Sequence, residues 1–505
     1  MDRRIGSTLF FFATLFPMRP TGFIAIMDNA LMLAPWIAGR YCQEVSAAIL
    51  FNNLLSETYL FEDQTAALIG QLLKYDYSEP ISFEEVAERI GCKAEDIIPF
   101  SEELRKCFVL IDHNMSNAEI RNLRGQSALN KKQLLSESNG TKDLQSIFSL
   151  VDTDYRDRTV KYGIPASVSF ELTYGCNEMC VHCYNPGAPH EICKARKTSD
   201  TEMQYEDYVS ALDQLEEMGV QKLLFTGGDP FIKKDFLRIL GYAHSKKFAI
   251  SIYTNGQTLY NRPDIYQKVV DLYPHDIGLS LYSTDPEIHD NITRVKGSCV
   301  KTMSIAEKLS NDGVDLKIKC PIMRINRASY RAVHDFALSI NAVPEFELNI
   351  TSGVDGNTYA VDNLRLSEEE MAAVLRDPLI PLSPNRKNIS RMMERDPDMN
   401  FCGAGEGINI QPDGNVCPCI AFPMRAGNAR TDNLKDIYNS VTFNNIRNLK
   451  YRDSDRCGKE SYCKWCNRCI GQSYIATGNA ANASEDNCFI ARLREGISLE
   501  KREKQ

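Results

Sequence analysis

The stretch "ASVSFELTYGCNEMCVHCY", residues 166–184, runs from a strand-like segment into a loop that holds Cys176, Cys180 and Cys183. Apolar residues alternate along its first half at Val168, Phe170 and Leu172, the period of a half-buried strand. Three thiols within eight positions then call for a metal. A structural zinc site closes with four ligands and usually takes two Cys-x2-Cys pairs. Here the spacing is Cys-x3-Cys-x2-Cys, and the next cysteine, Cys193, stands outside it. Three thiolates on one loop suit three irons of a 4Fe–4S cube, with the fourth iron left open for a further ligand.

Outward from this loop, residues 165 to 355 alternate strand-like and helix-like segments. "KLLFTGG", "FAISIYTNG", "DIGLSLYS", "DLKIKCPIM" and "EFELNIT" follow the first strand, each after a helix-length interval. A parallel βα repeat of this kind puts functional residues at the C-terminal ends of its strands. Six strands are too few for an eightfold barrel, so the expected fold is α/β with a partial (βα)6 TIM-type barrel over residues 161–375.

The loop spacing, its position after a strand and the aromatic Tyr184 that ends it resemble the radical S-adenosylmethionine (SAM) superfamily. The resemblance implies that Cys176, Cys180 and Cys183 hold a catalytic 4Fe–4S cluster whose open iron chelates SAM. Reductive cleavage of SAM would then yield a 5′-deoxyadenosyl radical. "TGGDP" resembles the family's glycine-rich motif and implies cofactor contacts at Gly227, Gly228 and Asp229, with Asp where Glu is more frequent. "YTNG" implies contacts at Thr254 and Asn255, "SLYS" at Ser280, and Arg294 resembles an arginine that pairs with the SAM carboxylate, as a guanidinium can by a bidentate bond. Gly, Asn and Ser also fill turns for their own sake.

Beyond residue 376 the βα rhythm is lost, and eight cysteines lie between Cys402 and Cys488. "FCGAGEGINIQPDGNVCPC" has Cys402-x11-Gly414-x4-Cys419, which resembles the entry to a SPASM domain, the auxiliary-cluster extension of peptide-modifying radical SAM enzymes. "CGKESYCKWCNRC" supplies Cys457, Cys463, Cys466 and Cys469, and "EDNC" supplies Cys488. The family's Cys-x2-Cys-x5-Cys-x3-Cys is contracted here, with Ser473 in place of its last cysteine. The resemblance implies two auxiliary 4Fe–4S clusters within 376–490. One would be held by Cys463, Cys466, Cys469 and Cys488, the other by Cys402 and Cys419 with Cys417, Cys457 or neither. Zinc remains the alternative, since Cys-x2-Cys pairs serve it too.

Residues 28–112 read as strands, three helices and a closing strand "VLID", a small winged-helix-like α+β module. Six Lys or Arg stand against fifteen Asp or Glu there, the wrong sign for phosphate contacts. The pattern resembles the PqqD-like element that recognises precursor peptides, which implies a peptide added as a strand along "LLSETYLFE", with the helix "AEDIIPFSEELRK" as the other wall.

The 505 residues, 43% hydrophobic and with net charge −9, fit a soluble multidomain protein without general affinity for nucleic acid or membrane. Residues 1–26 imitate a signal peptide but lack a convincing cleavage site, and Met27 is an alternative start. Residues 113–160 read as a linker with some helix and 491–505 as a charged tail. Clustered thiolates suit a reducing, cytoplasmic compartment. The reading that joins these segments is a maturase of a ribosomally made precursor peptide, forming a thioether cross-link and fed by a donor such as flavodoxin or ferredoxin. Carbon–carbon cyclisation, epimerisation, a sulfatase-maturase-like dehydrogenase acting on Ser or Cys, and a cluster-bearing DNA regulator are the alternatives.

Overall fold

The apolar runs near the start of the chain form β1 (Leu31–Leu33), β2 (Ile37–Cys42), β3 (Ala47–Asn52) and β4 (Glu57–Glu62), and "VLID" contributes β5 (Leu110–Asp112). The computed structural model describes residues 30–113, 115–116, 118–127, 152–187, 201–382, 398 and 400–503. The expectations for residues 1–26, for Met27, for Cys193 and for 128–151 lie outside them. β2, β3 and β4 form an antiparallel sheet in that order, while β1 pairs with β5. Three helices, Asp63–Leu72, Phe83–Ile90 and Ala94–Lys106, lie between β4 and β5. Ser82 caps the second by accepting from Glu85 N at 3.3 Å. The first opens on Asp63, at φ 52°, with no side-chain capping bond from the preceding Glu62.

β3 is buried along its whole length because both its faces are covered. Ala48 and Leu50 pack on Leu68 and Ile69 of the first helix, whereas Ala47, Ile49 and Phe51 meet Tyr155 and Ala249 of the following domain. The β2 edge is docked as well: Gly39 N donates to Lys247 O at 3.0 Å, and Arg40 lies 4.2 Å over the Phe248 ring. In the described part of the linker, residues 118–127 are helical, and Arg124 donates to Val270 O at 3.0 Å.

The six runs around the cysteine loop form β6 (Val168–Glu171), β7 (Lys222–Thr226), β8 (Ala249–Thr254), β9 (Asp276–Ser280), β10 (Leu316–Pro321) and β11 (Val343–Glu347). All five pairings between them are parallel, in chain order. The expected partial TIM-type barrel is therefore present. Unforeseen is its continuation: β12 (Ile408–Ile410) pairs in parallel with β6, and β13 (Asn415–Cys417) and β14 (Gly427–Asn428) extend it antiparallel. Strands of two or three residues leave no periodicity to read.

The expected tail is also corrected. Residues 485–503 form one helix, Glu485–Glu503, with Ile490, Ala491 and Ile497 buried. Ile490 and Ile497 pack with Met371 and Leu375, and Arg376 pairs with Glu500 at 3.0 Å. Arg492 and Glu500 lie on the outer face of an amphipathic helix, whereas Arg494 is buried and donates to Trp465 O at 3.2 Å. Among the described residues, no helix is long and apolar enough to cross a membrane.

Candidate active site

The loop after β6 is stitched to three neighbouring segments. Gly228 N donates to Thr173 O at 2.6 Å and Asp229 N to Gly175 O at 2.9 Å. Met179 N and Val181 N donate to the carbonyls of Thr293 and Ile292, at 2.9 and 3.0 Å. Thr173 Oγ1 accepts from Gly175 N and donates to the buried Glu202, itself paired with Lys233 at 3.1 Å. Backbone meets backbone at the two glycines. A Cβ on Gly227 would collide with the Thr173 carbonyl and one on Gly228 with that of Gly175. Gly227 also holds φ 135°, which side chains disfavour.

This stitching gathers most of the predicted residues at the C-terminal ends of β6 to β9. Cys176 is 8% exposed and receives Asn255 Nδ2 at 3.7 Å; that amide also donates to Asn177 Oδ1 at 2.6 Å. Cys180 lies 3.7 Å from the Tyr282 hydroxyl. Arg294 follows Thr293 directly, in a left-handed conformation at φ 57° that ends the helix Pro286–Thr293. Ser280 ends β9 and supports the Tyr282 hydroxyl.

The Asp229 side chain binds its own neighbourhood. Its carboxylate is fully buried and accepts from Thr254 Oγ1 at 2.6 Å and from the amides of Asn255 and Phe231 at 3.0 Å. The side chains of Asp229 and Thr254 are thus committed to each other, joining the β7 and β8 loops. Burial raises the Asp229 carboxyl above its usual range, and these bonds pull it back.

Sequence reasoning missed two acids. Glu178, inside the cysteine loop, is 2% exposed and pushed up to about 8 by burial and by the charge of Asp229. Glu171, at the end of β6, accepts from Asn409 Nδ2 at 2.9 Å and is pushed up to about 7 by burial. An acid in an apolar strand was the available signal for the second. Tyr184 lies within electrostatic range of Glu171, Cys183 and, from the C-terminal region, Cys419.

The C-terminal thiols lie in two environments. Cys419 is coupled electrostatically to Cys469 and Cys402, and Cys402, Cys419 and Cys457 pack against one apolar cluster around Phe401 and Phe422. Cys469 belongs here because it precedes the helix Ile470–Thr477, whose Ile470 and Tyr474 join that cluster. Cys488 is coupled to Cys463, and Cys466 Sγ lies 3.8 Å from Asn487 O. Cys417, fully buried in β13, faces the charges of Glu171, Arg425 and Asp413 ahead of Cys419 and stands outside the Phe401 cluster. Ser473 is buried, and its hydroxyl donates to Cys469 O at 3.3 Å within its own helix.

Two family models match these two regions: "Radical SAM superfamily" over residues 170–337 and "Iron-sulfur cluster-binding domain", the SPASM domain, over 402–470. The mycofactocin maturase MftC of Mycolicibacterium smegmatis is 30% identical over 295 residues, 53% of this chain and 68% of that protein. The chain is a radical SAM enzyme of the SPASM type. The antilisterial bacteriocin subtilosin biosynthesis protein AlbA of Bacillus subtilis is 27% identical over 329 residues, 61% of this chain and 68% of that one. A crystal structure of Streptococcus suis SuiB bound to S-adenosylmethionine aligns over 91% of this chain and 99% of that one, at 15% identity and TM-score 0.48.

This radical SAM domain binds SAM and a 4Fe–4S cluster, and the SPASM domain binds auxiliary iron–sulfur clusters. The donor set fits. Among the described residues every cysteine is a free thiol. Burial pushes Cys176 and Cys419 up, to about 12 and about 11, and Cys180 well above its usual value. Thiolates in such surroundings need a strong cationic partner, which iron supplies. Among the described residues no three Cys, His, Asp or Glu side chains are gathered around a single ion position. A cube spreads its thiolates over different irons and needs no such gathering.

Proposed function

We propose that this radical SAM enzyme modifies a ribosomally made precursor peptide and that the product is an intrapeptide thioether. The relatives named for subtilosin biosynthesis and mycofactocin maturation support a peptide substrate. The observation that carries the reading is the N-terminal module. Its sheet has two edges: β2 is docked on the barrel, and β4 pairs only with β3 among the described residues. Phe61 of β4 meets Phe100 of the helix Ala94–Lys106 edge-on at 6.1 Å. The free β4 edge supports the reading of a PqqD-like clamp, in which an added strand gains main-chain hydrogen bonds.

Cys176, Cys180 and Cys183 would hold the cluster at which SAM binds, and that pair would supply the radical chemistry that removes hydrogen from the substrate. The chain's own part is to hold that site rigid through the Thr173, Gly228 and Asp229 bonds and to keep it dry. A flavodoxin or ferredoxin of the cytoplasm is the electron donor in this reading. The thioether is supported by the grouping of Cys463, Cys466 and Cys488: three thiols leave a coordination place that a substrate thiolate suits. A second reading has its own support. The group of Cys402, Cys419, Cys457 and Cys469 has four thiols, and Tyr184 lies within electrostatic range of both Cys419 and Cys183, which supports an electron acceptor for carbon–carbon coupling.

The test is anaerobic turnover of the peptide encoded by a small open reading frame beside the gene. A thioether product is two hydrogens lighter, and at least one cysteine no longer alkylates with iodoacetamide. A lighter product whose cysteines all alkylate sinks the thioether and favours carbon–carbon coupling or a dehydrogenase acting on Ser. An unchanged mass leaves epimerisation.

A further inference from the structure

The concave face of the barrel is polar, where the interior of a closed barrel is packed with branched apolar side chains. Along β6, β9, β10 and β12 the residues that face the helices, among them Phe170, Leu279, Ile318 and Ile410, belong to the core. Successive strand residues point to opposite faces, so the alternate positions, among them Glu171, Ser280, Lys319 and Asn409, face the barrel axis. Lys319 pairs there with Glu345 at 2.6 Å, and the two side chains are 33% and 38% exposed, so water reaches this interior.

Two of these residues form a pair across the junction with the C-terminal region. β12 lies parallel to β6, with Asn409 opposite Ser169 and Ile410 opposite Phe170. Asn409 Nδ2 donates from there to Glu171 Oε2 at 2.9 Å. Asn409 is 1% exposed and Glu171 4%. With its amide nitrogen given to the carboxylate, Asn409 keeps Oδ1, which is buried and has no hydrogen-bond partner among the described residues. Asp413 sets a second negative charge within range of Glu171. What the pair has left to offer is acceptors, and a buried acceptor is costly to leave unmatched. The group that fits is a donor.

The pair stands at the level of the radical site. Glu171 is the register partner of Thr226, directly ahead of Gly227, and lies within electrostatic range of Tyr184 at the end of the cysteine loop, which in turn meets Cys419. A group held by Glu171 and Asn409 therefore sits between the catalytic and the auxiliary cysteines. An extended peptide carries an N–H at every residue but proline, whatever its side chains. An ammonium group would have to give up its water to enter so enclosed a place. We propose that Glu171 and Asn409 hold a backbone N–H of the peptide segment presented to the radical, so that β12 completes a substrate site that β6 begins. The inference rests on the peptide-substrate reading and not on which bond is made.

The experiment measures binding of the labelled precursor to the anaerobically reconstituted full chain, with SAM and without reductant, by fluorescence anisotropy. A series of precursors carries one backbone ester each in place of an amide in the modified segment, which removes a single N–H and keeps the side chains. One position should lose affinity about tenfold on the wild-type enzyme, the scale of one hydrogen bond to a buried acceptor. Glu171→Gln and Asn409→Leu should each weaken the all-amide precursor by a similar factor. The sensitive ester should then cost little more, because both changes remove one interaction. Iron content and SAM affinity should stay at their wild-type values, and should one variant lose iron, the other carries the comparison. A series with no sensitive position overturns the proposal, and misfolding cannot produce that result on the wild-type enzyme. Additive losses from ester and variant overturn it too, and a variant that loses SAM affinity without peptide assigns the pair to SAM instead. Failure of the peptide reading itself looks different, because the wild-type enzyme would then not bind the all-amide precursor.

Discussion

At the scale of single residues, the glycines after β7 have a packing role beside the one their motif implies. The resemblance assigns Gly227 and Gly228 to the cofactor, whereas the packing shows what each lacks a side chain for: the carbonyls of Thr173 and Gly175 stand where a Cβ would be. Gly228→Ala must push the cysteine loop away from β7. Such overpacking costs about 1–3 kcal/mol, and here the displacement falls on Gly175, directly ahead of Cys176. The expected outcome is a lower Tm together with loss of the iron of one cluster, read by thermal unfolding and iron assay. Replacing Cys176, Cys180 and Cys183 by Ala together should remove the same iron without disturbing the loop, and should abolish 5′-deoxyadenosine formation under dithionite. A triple variant that still cleaves SAM would place the catalytic cluster elsewhere. The cysteines themselves were legible because their spacing is a chemical constraint. The commitment of Asp229 to Thr254 was not, since a hydrogen bond between two loops 25 positions apart leaves no local pattern.

Among the elements, the six parallel strands were readable from their apolar runs, and what they dock against was not. The face of β3 that meets the barrel is as apolar as the face that meets its own helix, so the sequence reads as buried without saying by what. The contact contains a titratable group. His275, just before β9, has Nδ1 3.0 Å from Asn53 Oδ1 and its ring edge-on to Phe51 at 5.2 Å. Around it stand Lys222 and Lys317, which disfavour its charge, and Asp276 and Asp315, which favour it; burial dominates and lowers it to about 4. A histidine depressed below its unfolded value near 6.5 stabilises the folded state above that value, and the contribution is lost as pH falls from about 6.5 through about 4. Docking of the module should therefore weaken on acidification. Limited proteolysis between residues 113 and 160 should accelerate over that interval in the wild type and change less in His275→Gln. Equal acceleration in both would remove His275 from the account.

For the whole molecule, the arrangement of the ends decides what substrate can be reached. Lys247, Tyr273, His275 and Asp315 carry the contacts with the N-terminal module, and all precede their strands. The cysteine loop, Gly227, Asn255 and Arg294 follow theirs. The module that we propose to hold the precursor thus sits at one end of the barrel and the radical site at the other. β8 has six residues, which at a rise of about 3.3 Å each separates the two ends by about 20 Å. An extended peptide needs about six residues merely to climb that height outside the sheet, and more to pass the helices that surround it. A modified residue closer than this to the bound segment is out of reach while the clamp is occupied. Precursors with the intervening residues cut below about six should bind the enzyme as tightly as the full peptide and go unmodified, whereas Gly-Ser insertions that lengthen the interval should be tolerated, because closure entropy grows slowly with length. Binding measured by fluorescence anisotropy beside turnover measured by mass separates the possibilities. Loss of both denies the clamp, while retained turnover of the short peptide denies the separation of clamp and chemistry.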